Sequence, residues 1–138
     1  MDLIGCIFDL DGVIVDTAKY HFMAWRLLAK ELGFVFTLED NEALKGVSRM
    51  ASLEILISKG GITVSEKEKE FLAARKNGWY VEFISGMKPD EILPGSVKLL
   101  KALRKEGILT AIGSASKNAV TILDGSGLRE MLAVMMEG

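Results

Sequence analysis

Hydrophobic and polar positions along the chain follow two periods. Leu3, Ile4, Cys6, Ile7 and Phe8 form a nearly continuous apolar run that stops at Asp9, the pattern of a strand buried in a parallel sheet. From Thr17 the spacing becomes helical. Ala18, Phe22, Trp25, Ala29 and Leu32 fall on one stripe, and Gly33 follows as a C-terminal cap. Ser48 stands ahead of Met50, Leu53, Leu56 and Ile57 and can cap a second helix that Gly60 and Gly61 end. Ser65 opens a third, charged at first over 66–70 and then apolar through Phe71, Leu72, Ala74, Trp79, Val81 and Phe83. The charge run reads as a solvated face.

The segment 86–90 breaks this helical stretch and reads as a return linker. Pro94 and Gly95 introduce a helix with Val97, Leu100 and Leu103 on its apolar side, which Gly107 ends. Residues 108–113 (ILTAIG) predict a second buried strand and 114–118 (SASKN) its loop. A further helix over 120–124, the apolar stretch 128–132 and a short strand over 133–137 complete the pattern. The order of strand, helical insertion, helix, strand, helix, strand predicts an α/β fold with a parallel sheet.

Composition narrows the class. The 138 residues suit one domain, or one small domain with an inserted subdomain. With 49% apolar and 26% charged residues and a formal charge of -2, the chain should fold, and it lacks the basic footprint of a nucleic-acid binder. Cys6 is the single cysteine and lies in the first apolar run, which excludes an intrachain disulfide and a multi-cysteine zinc site and predicts a small core residue. Met1 and Asp2 lead directly into that run with no basic leader, and no stretch is apolar enough to cross a bilayer, so a cytoplasmic location without membrane contact is the expectation.

Two polar loops follow the two strands. Asp9 and Asp11 occupy alternate positions, so in extended backbone their side chains point the same way. Two acids at the tip of a buried strand are costly unless a cation or a reaction accompanies them. Ser114, Ser116, Lys117 and Asn118 offer hydroxyls, a charge and an amide ahead of a helix start, where unbonded N–H groups favour an anion. In open α/β sheets ligands bind beyond the carboxyl ends of the strands. An acid pair suited to Mg²⁺, opposite a phosphate cradle, points to phosphoryl transfer. Either loop alone would read as a turn or a helix cap.

The residues Phe8-Asp-Leu-Asp-Gly-Val13 with Asp16-Thr17, and Gly113-Ser-Ala-Ser116 after the second strand, resemble the first two motifs of the haloacid dehalogenase superfamily. The insertion between them is similar to the helical cap of the β-phosphoglucomutase branch, through Tyr20-His-Phe-Met-Ala-Trp25, Asn41-Glu42, Leu44-Lys-Gly-Val-Ser-Arg49, Arg75-Lys-Asn77 and Ser114 to Asn118. The resemblance implies a Rossmann-like parallel sheet core over 1–15 and 90–138 and an α-helical cap over 16–89.

It also implies roles. Asp9 matches the nucleophile that becomes an aspartyl-phosphate and Asp11 the general acid/base, with Mg²⁺ held at Asp9 and at the carbonyl of Asp11. Ser114 and Ala115 match the loop around the transferring phosphoryl group, and Ser116, Lys117 and Asn118 match contacts to phosphate and sugar. On the cap, Arg49 matches the clamp on the other phosphate, with the backbone of Gly46, Val47 and Ser48; a guanidinium suits that task. His21, Trp25 and Lys76 match positions facing the substrate, and Thr17 with His21 matches residues that position the acid/base as the cap closes. Packing alone would also explain Trp25 and His21, Lys76 would also serve as a solvated helix lysine, and Asp16 as a cap.

The implied reaction interconverts β-glucose 1-phosphate and glucose 6-phosphate, with a phosphorylated hexose and a bisphosphate primer as partners. A superfamily phosphatase on a small phosphate ester is the alternative, and a non-catalytic module binding phosphosugar or another chain is a third. The family's later lysine and acidic motif have no match within the 138 residues, and Gly125-Ser126 stands where the family has apolar helix formers. A piece of a longer chain is therefore expected, or a fold completed by another chain along an exposed sheet edge.

Overall fold

The computed structural model of the chain describes residues 2–114, 117–129 and 134–137. These divide into two compact units. The first comprises residues 1–18 with 83–138, and the second, 19–82, is inserted into it. The insert is thus shorter at both ends than 16–89.

In the first unit, strands β1 (Gly5–Phe8), β2 (Leu109–Ser114) and β3 (Val134–Glu137) form a parallel sheet in that order. Gly5 pairs with Leu109 and Phe8 with Ile112, while Ala111 pairs with Val134. Helices α5 (Ser96–Lys105) and α6 (Ala119–Ser126) connect the strands. Burial alternates along β2: Thr110, Ile112 and Ser114 are buried, whereas Leu109 is 66% exposed. On β1, Ile7 is 68% exposed and Ile4 just before it 82%. The expectation that 3–9 is buried on both faces is therefore wrong. Covering both faces of a parallel sheet takes helices on both sides, and among the described residues Ile7 and Leu109 remain exposed on one face. Cys6 is half-buried rather than a core residue.

The α6 helix runs through Gly125 and Ser126 despite their low helix propensity. A Cβ on Gly125 would stand 3.3 Å from the carbonyl oxygen of Ile84 and 3.6 Å from Met87 Cβ, so close packing accounts for the glycine. The Ser126 hydroxyl donates to the Leu123 carbonyl. Residues 130–133, part of the expected apolar stretch, lie outside the described residues.

The segments on either side of the insert are tied to each other within this unit. Leu93 N–H donates to the Ile14 carbonyl at 2.8 Å, Asp16 N–H to the Glu91 carbonyl at 3.3 Å, and Val15 bridges Ile92 in antiparallel fashion.

The second unit is helical: α1 (Ala18–Glu31, whose first residue belongs to the first unit), α2 (Leu38–Asn41), α3 (Arg49–Gly60) and most of α4 (Glu66–Ser85). The sequence pattern did not show α2. Thr37 and Asp40 form a reciprocal capping box that starts it. Trp25, Leu28, Phe36, Leu44, Leu53, Leu56, Ile57 and Leu72 enclose one core. Gly60 lies against the Phe34 ring so closely that a Cβ there would overlap it. Among the described residues no helix is long and apolar enough to cross a membrane.

Candidate functional site

The first unit gathers its candidate residues at the carboxyl ends of β1 and β2. Asp9 follows β1 one residue after the Phe8–Ile112 pair, and Ser114 closes β2 two residues after it, so the neighbouring strands deliver both to one end of the sheet. Beyond Asp9 the chain turns back tightly. Ile14 N–H and Val15 N–H both donate to the Leu10 carbonyl, and Gly12 takes φ +75°, a conformation costly for a residue with a Cβ. Leu10, Ile14 and Val15 are buried beneath this turn, which fixes the acids above an apolar base.

The two acids are held differently. Asp9 is exposed and accepts the Leu10 N–H at 2.8 Å through Oδ1. Asp11 is half-buried, and the hydroxyl of fully buried Thr17 donates to its Oδ1 at 2.5 Å. This bond restrains one oxygen of Asp11 and leaves the exposed Asp9 carboxylate to face solvent. Ser114 is buried, Lys117 exposed and Asn118 precedes α6; Ala115 and Ser116 lie outside the described residues. As hard oxygen donors Asp9 and Asp11 suit Mg²⁺. Among the described residues they join no group of three or more metal-ligating side chains.

The second unit builds a cationic cluster. Gly46 takes φ +72° and turns the chain into α3, and the Ser48 hydroxyl caps that helix by accepting the Ala51 N–H. Val47 N–H bonds back to the Leu44 carbonyl. Arg49 is consequently the first residue of α3, where the helix dipole already favours an anion. Its Nη2 donates to Asn77 Oδ1 at 2.9 Å.

On α1, His21 and Trp25 are one turn apart, as are Lys76 and Tyr80 on α4. Lys76 is only 2% exposed; the solvated-lysine alternative is thus excluded. Its Nζ lies 3.0 Å from His21 Nδ1, 4.5 Å from the Trp25 ring centre and 5.0 Å from that of Tyr80. His21 stacks on Tyr80 with centroids 4.0 Å apart. Burial, then the charge of Arg49, pushes the Lys76 ammonium down from 10.5 to about 7. Burial, then Lys76 and Arg49, pushes His21 down to about 3. Trp25 belongs to the unit's apolar core, so packing and a face towards Lys76 coexist in one side chain.

Two members of the cluster, Asn77 and Tyr80, were not among the candidate residues. The i,i+4 spacing of Lys76 and Tyr80, matching that of His21 and Trp25, carries the signal for Tyr80. Asn77 stood inside a matching segment without a role.

With this geometry in view, the chain can be compared with known proteins. Residues 5–135 match the haloacid dehalogenase-like hydrolase family. The chain belongs to this family. It is 45% identical over 119 residues to a β-phosphoglucomutase of Bacillus subtilis, covering 85% of this chain and 53% of that protein. A crystal structure of β-phosphoglucomutase from Clostridium difficile superposes with a TM-score of 0.85 at 41% identity, over 97% of this chain and 61% of that one. An Arabidopsis thaliana (DL)-glycerol-3-phosphatase is 23% identical over 130 residues, covering 94% of this chain and 52% of that protein. The chain thus spans about half the length of the curated relatives it matches. The α/β architecture, a Rossmann-like parallel sheet with an inserted helical cap, is that of the family.

Proposed function

We propose that the chain is the part of a phosphosugar mutase that carries the phosphoryl acceptor, and that it serves the interconversion of β-glucose 1-phosphate and glucose 6-phosphate. The observation that carries this reading is the buried cluster of Arg49, Lys76 and neutral His21 in a cap unit whose chain is 45% identical to a β-phosphoglucomutase.

In the first step an Asp9 carboxylate oxygen attacks the phosphorus of a bisphosphate. An O–P bond forms at Asp9, the P–O bond to the sugar breaks, and Asp11 gives its proton to the departing sugar oxygen. In the second step the 6-hydroxyl of β-glucose 1-phosphate gives its proton to Asp11 and its oxygen attacks the phosphorus, breaking the Asp9 O–P bond; the bisphosphate so formed reorients and returns its 1-phosphoryl group to Asp9, leaving glucose 6-phosphate. The Thr17 hydroxyl keeps Asp11 oriented for both transfers. Mg²⁺, held by Asp9 and the Asp11 carbonyl, would neutralise charge on the phosphoryl oxygens. Ser114, Lys117 and Asn118 would bind phosphate and sugar, and Ala115 and Ser116 would extend that loop. Arg49 at its helix start, with Gly46, Val47 and Ser48 behind it, would take a phosphate dianion.

The test is a coupled assay of β-glucose 1-phosphate turnover with a glucose bisphosphate primer and Mg²⁺. Formation of glucose 6-phosphate supports the mutase. Steady release of inorganic phosphate instead would favour a phosphatase, the reading consistent with the Arabidopsis relative. Asp9→Asn should abolish covalent labelling by a bisphosphate, seen as loss of the added phosphoryl mass; persistent labelling removes Asp9 from its role.

A further inference from the structure

The cap cluster contains two nitrogen bases that cannot both be charged. With Lys76 Nζ and His21 Nδ1 at 3.0 Å, one must donate and the other accept. An imidazolium and an ammonium offer no lone pair to each other, so the pair carries at most one positive charge. When Lys76 is charged it donates to Nδ1 and fixes the His21 proton on Nε2. When Lys76 is neutral the pair carries no charge.

The charged and titratable groups facing the pair come from every helix that surrounds it. From α1 there is His21 itself, from α4 Lys76 with Tyr80 stacked on the imidazole, and from α3 Arg49. Arg49 is permanently cationic, and its guanidinium rests on a neutral amide, Asn77. Among the described residues, none of the ion pairs involves Arg49 or Lys76. The Trp25 and Tyr80 rings favour an ammonium through their π faces, while burial and Arg49 oppose it. Burial and Arg49 thus leave Lys76 close to balance near neutrality, with no carboxylate paired to it among the described residues.

We propose that a phosphate monoester binding at this cluster draws a proton from solvent onto the Lys76–His21 pair, so that its affinity falls as pH rises above neutrality. The inference rests on the reading of Arg49 and Lys76 as a phosphate site. The bound dianion reverses the sign of the field at Nζ, and an opposite charge within about 4–6 Å favours the protonated amine. Protonation in turn adds a second cation beside Arg49. Ligand and proton bind cooperatively, each raising the affinity of the other by the same factor.

The experiment is calorimetric titration of the chain with glucose 6-phosphate in buffers of different ionisation enthalpy. At pH 8 the ligand is already a dianion, since a phosphate monoester loses its second proton near about 6, so proton uptake comes from the protein. The expected uptake approaches one proton per ligand at pH 8, where an amine that titrates at about 7 when free is mostly deprotonated, and falls to less than about half a proton at pH 7. Over pH 8 to 9 the dissociation constant should rise severalfold, by about tenfold at most. Lys76→Arg, which keeps the charge and cannot release it, should bind with no uptake and no such pH dependence. Where that variant is poorly folded, the Lys76 side-chain resonance followed by NMR in the unaltered chain, with and without glucose 6-phosphate, gives the same answer. Binding with buffer-independent heats, or uptake that persists in Lys76→Arg, overturns the inference while leaving the phosphate site intact. Absence of any binding overturns both the site and the inference.

Discussion

The two units of this chain use similar apolar content to different effect. In the insert, α1, α3 and α4 surround one core, and Leu28, Leu53 and Leu56 are shut off from solvent. In the sheet unit the strands bury one face through Ile112 and leave Ile7 and Leu109 on the other largely in water. Helices close a core with their immediate neighbours, whereas a parallel sheet needs a layer on each side. Apolar residues alone therefore do not secure burial; the number of layers does.

Paired substitutions in the two units test this contrast most strongly. Leu53→Ala should cost about 2–5 kcal/mol, and Ile7→Ala within about 0.5 kcal/mol, both measured by chemical denaturation. A loss at Ile7 as large as that at Leu53 would show that the open face is covered in solution. Next in size is Gly60→Ala, which drives a Cβ into the Phe34 ring and should destabilise the insert by about 1–3 kcal/mol. Hydrogen exchange would place the loss in α3, and an unchanged stability would mean that the ring yields freely.

A third test uses acid and base. In the insert both His21 and Lys76 have lowered values, from 6.5 to about 3 and from 10.5 to about 7. Across each interval the unfolded chain binds more protons than the folded one, so stability rises with pH over about 3–6.5 and again over about 7–10.5. The steepest slope expected is about tenfold in the folding constant per pH unit for each group. Lys76→Met should abolish the upper rise and keep a narrower lower one, since His21 loses the charge that helps hold it down, as followed by urea midpoints at fixed pH; an upper rise that survives would assign it elsewhere. The smallest effect belongs to the exposed pair of Arg75 and Glu31. Glu31→Gln should leave the thermal midpoint almost unchanged, which would confirm that the insert's stability lies in its apolar core.

Much of this architecture was legible in the residues. Helical spacing located α1, α3 and α4, and the caps at Ser48 and Gly33 marked their limits, because periodicity and end chemistry are local signals. The short α2 was missed, since a four-residue helix has no apolar period and depends on the Thr37 capping box. The apolar run at 3–9 predicts a strand buried in a parallel sheet because a strand pattern records what a residue prefers, not whether a second layer exists. The same distinction applies to the site. The motif singles out Asp9, Asp11 and Thr17, whereas nothing in the sequence signals the burial of Lys76, because a lysine between polar neighbours on a charged helix looks solvated. Its environment comes from α1 and α3, distant in sequence. Gly125 looked misplaced as a helix residue until its approach to Ile84 gave the reason.

The backbone bonds from Leu93 to Ile14 and from Asp16 to Glu91 bring the two chain segments that flank the insert within a hydrogen bond of each other. A segment whose flanks meet can be cut out and its stem closed with a short turn, or grafted into another protein's surface loop, without stretching the host chain. That clasp makes the helical insert a portable part: new caps can be exchanged on an unchanged stem, which is a route by which one sheet could acquire different substrates.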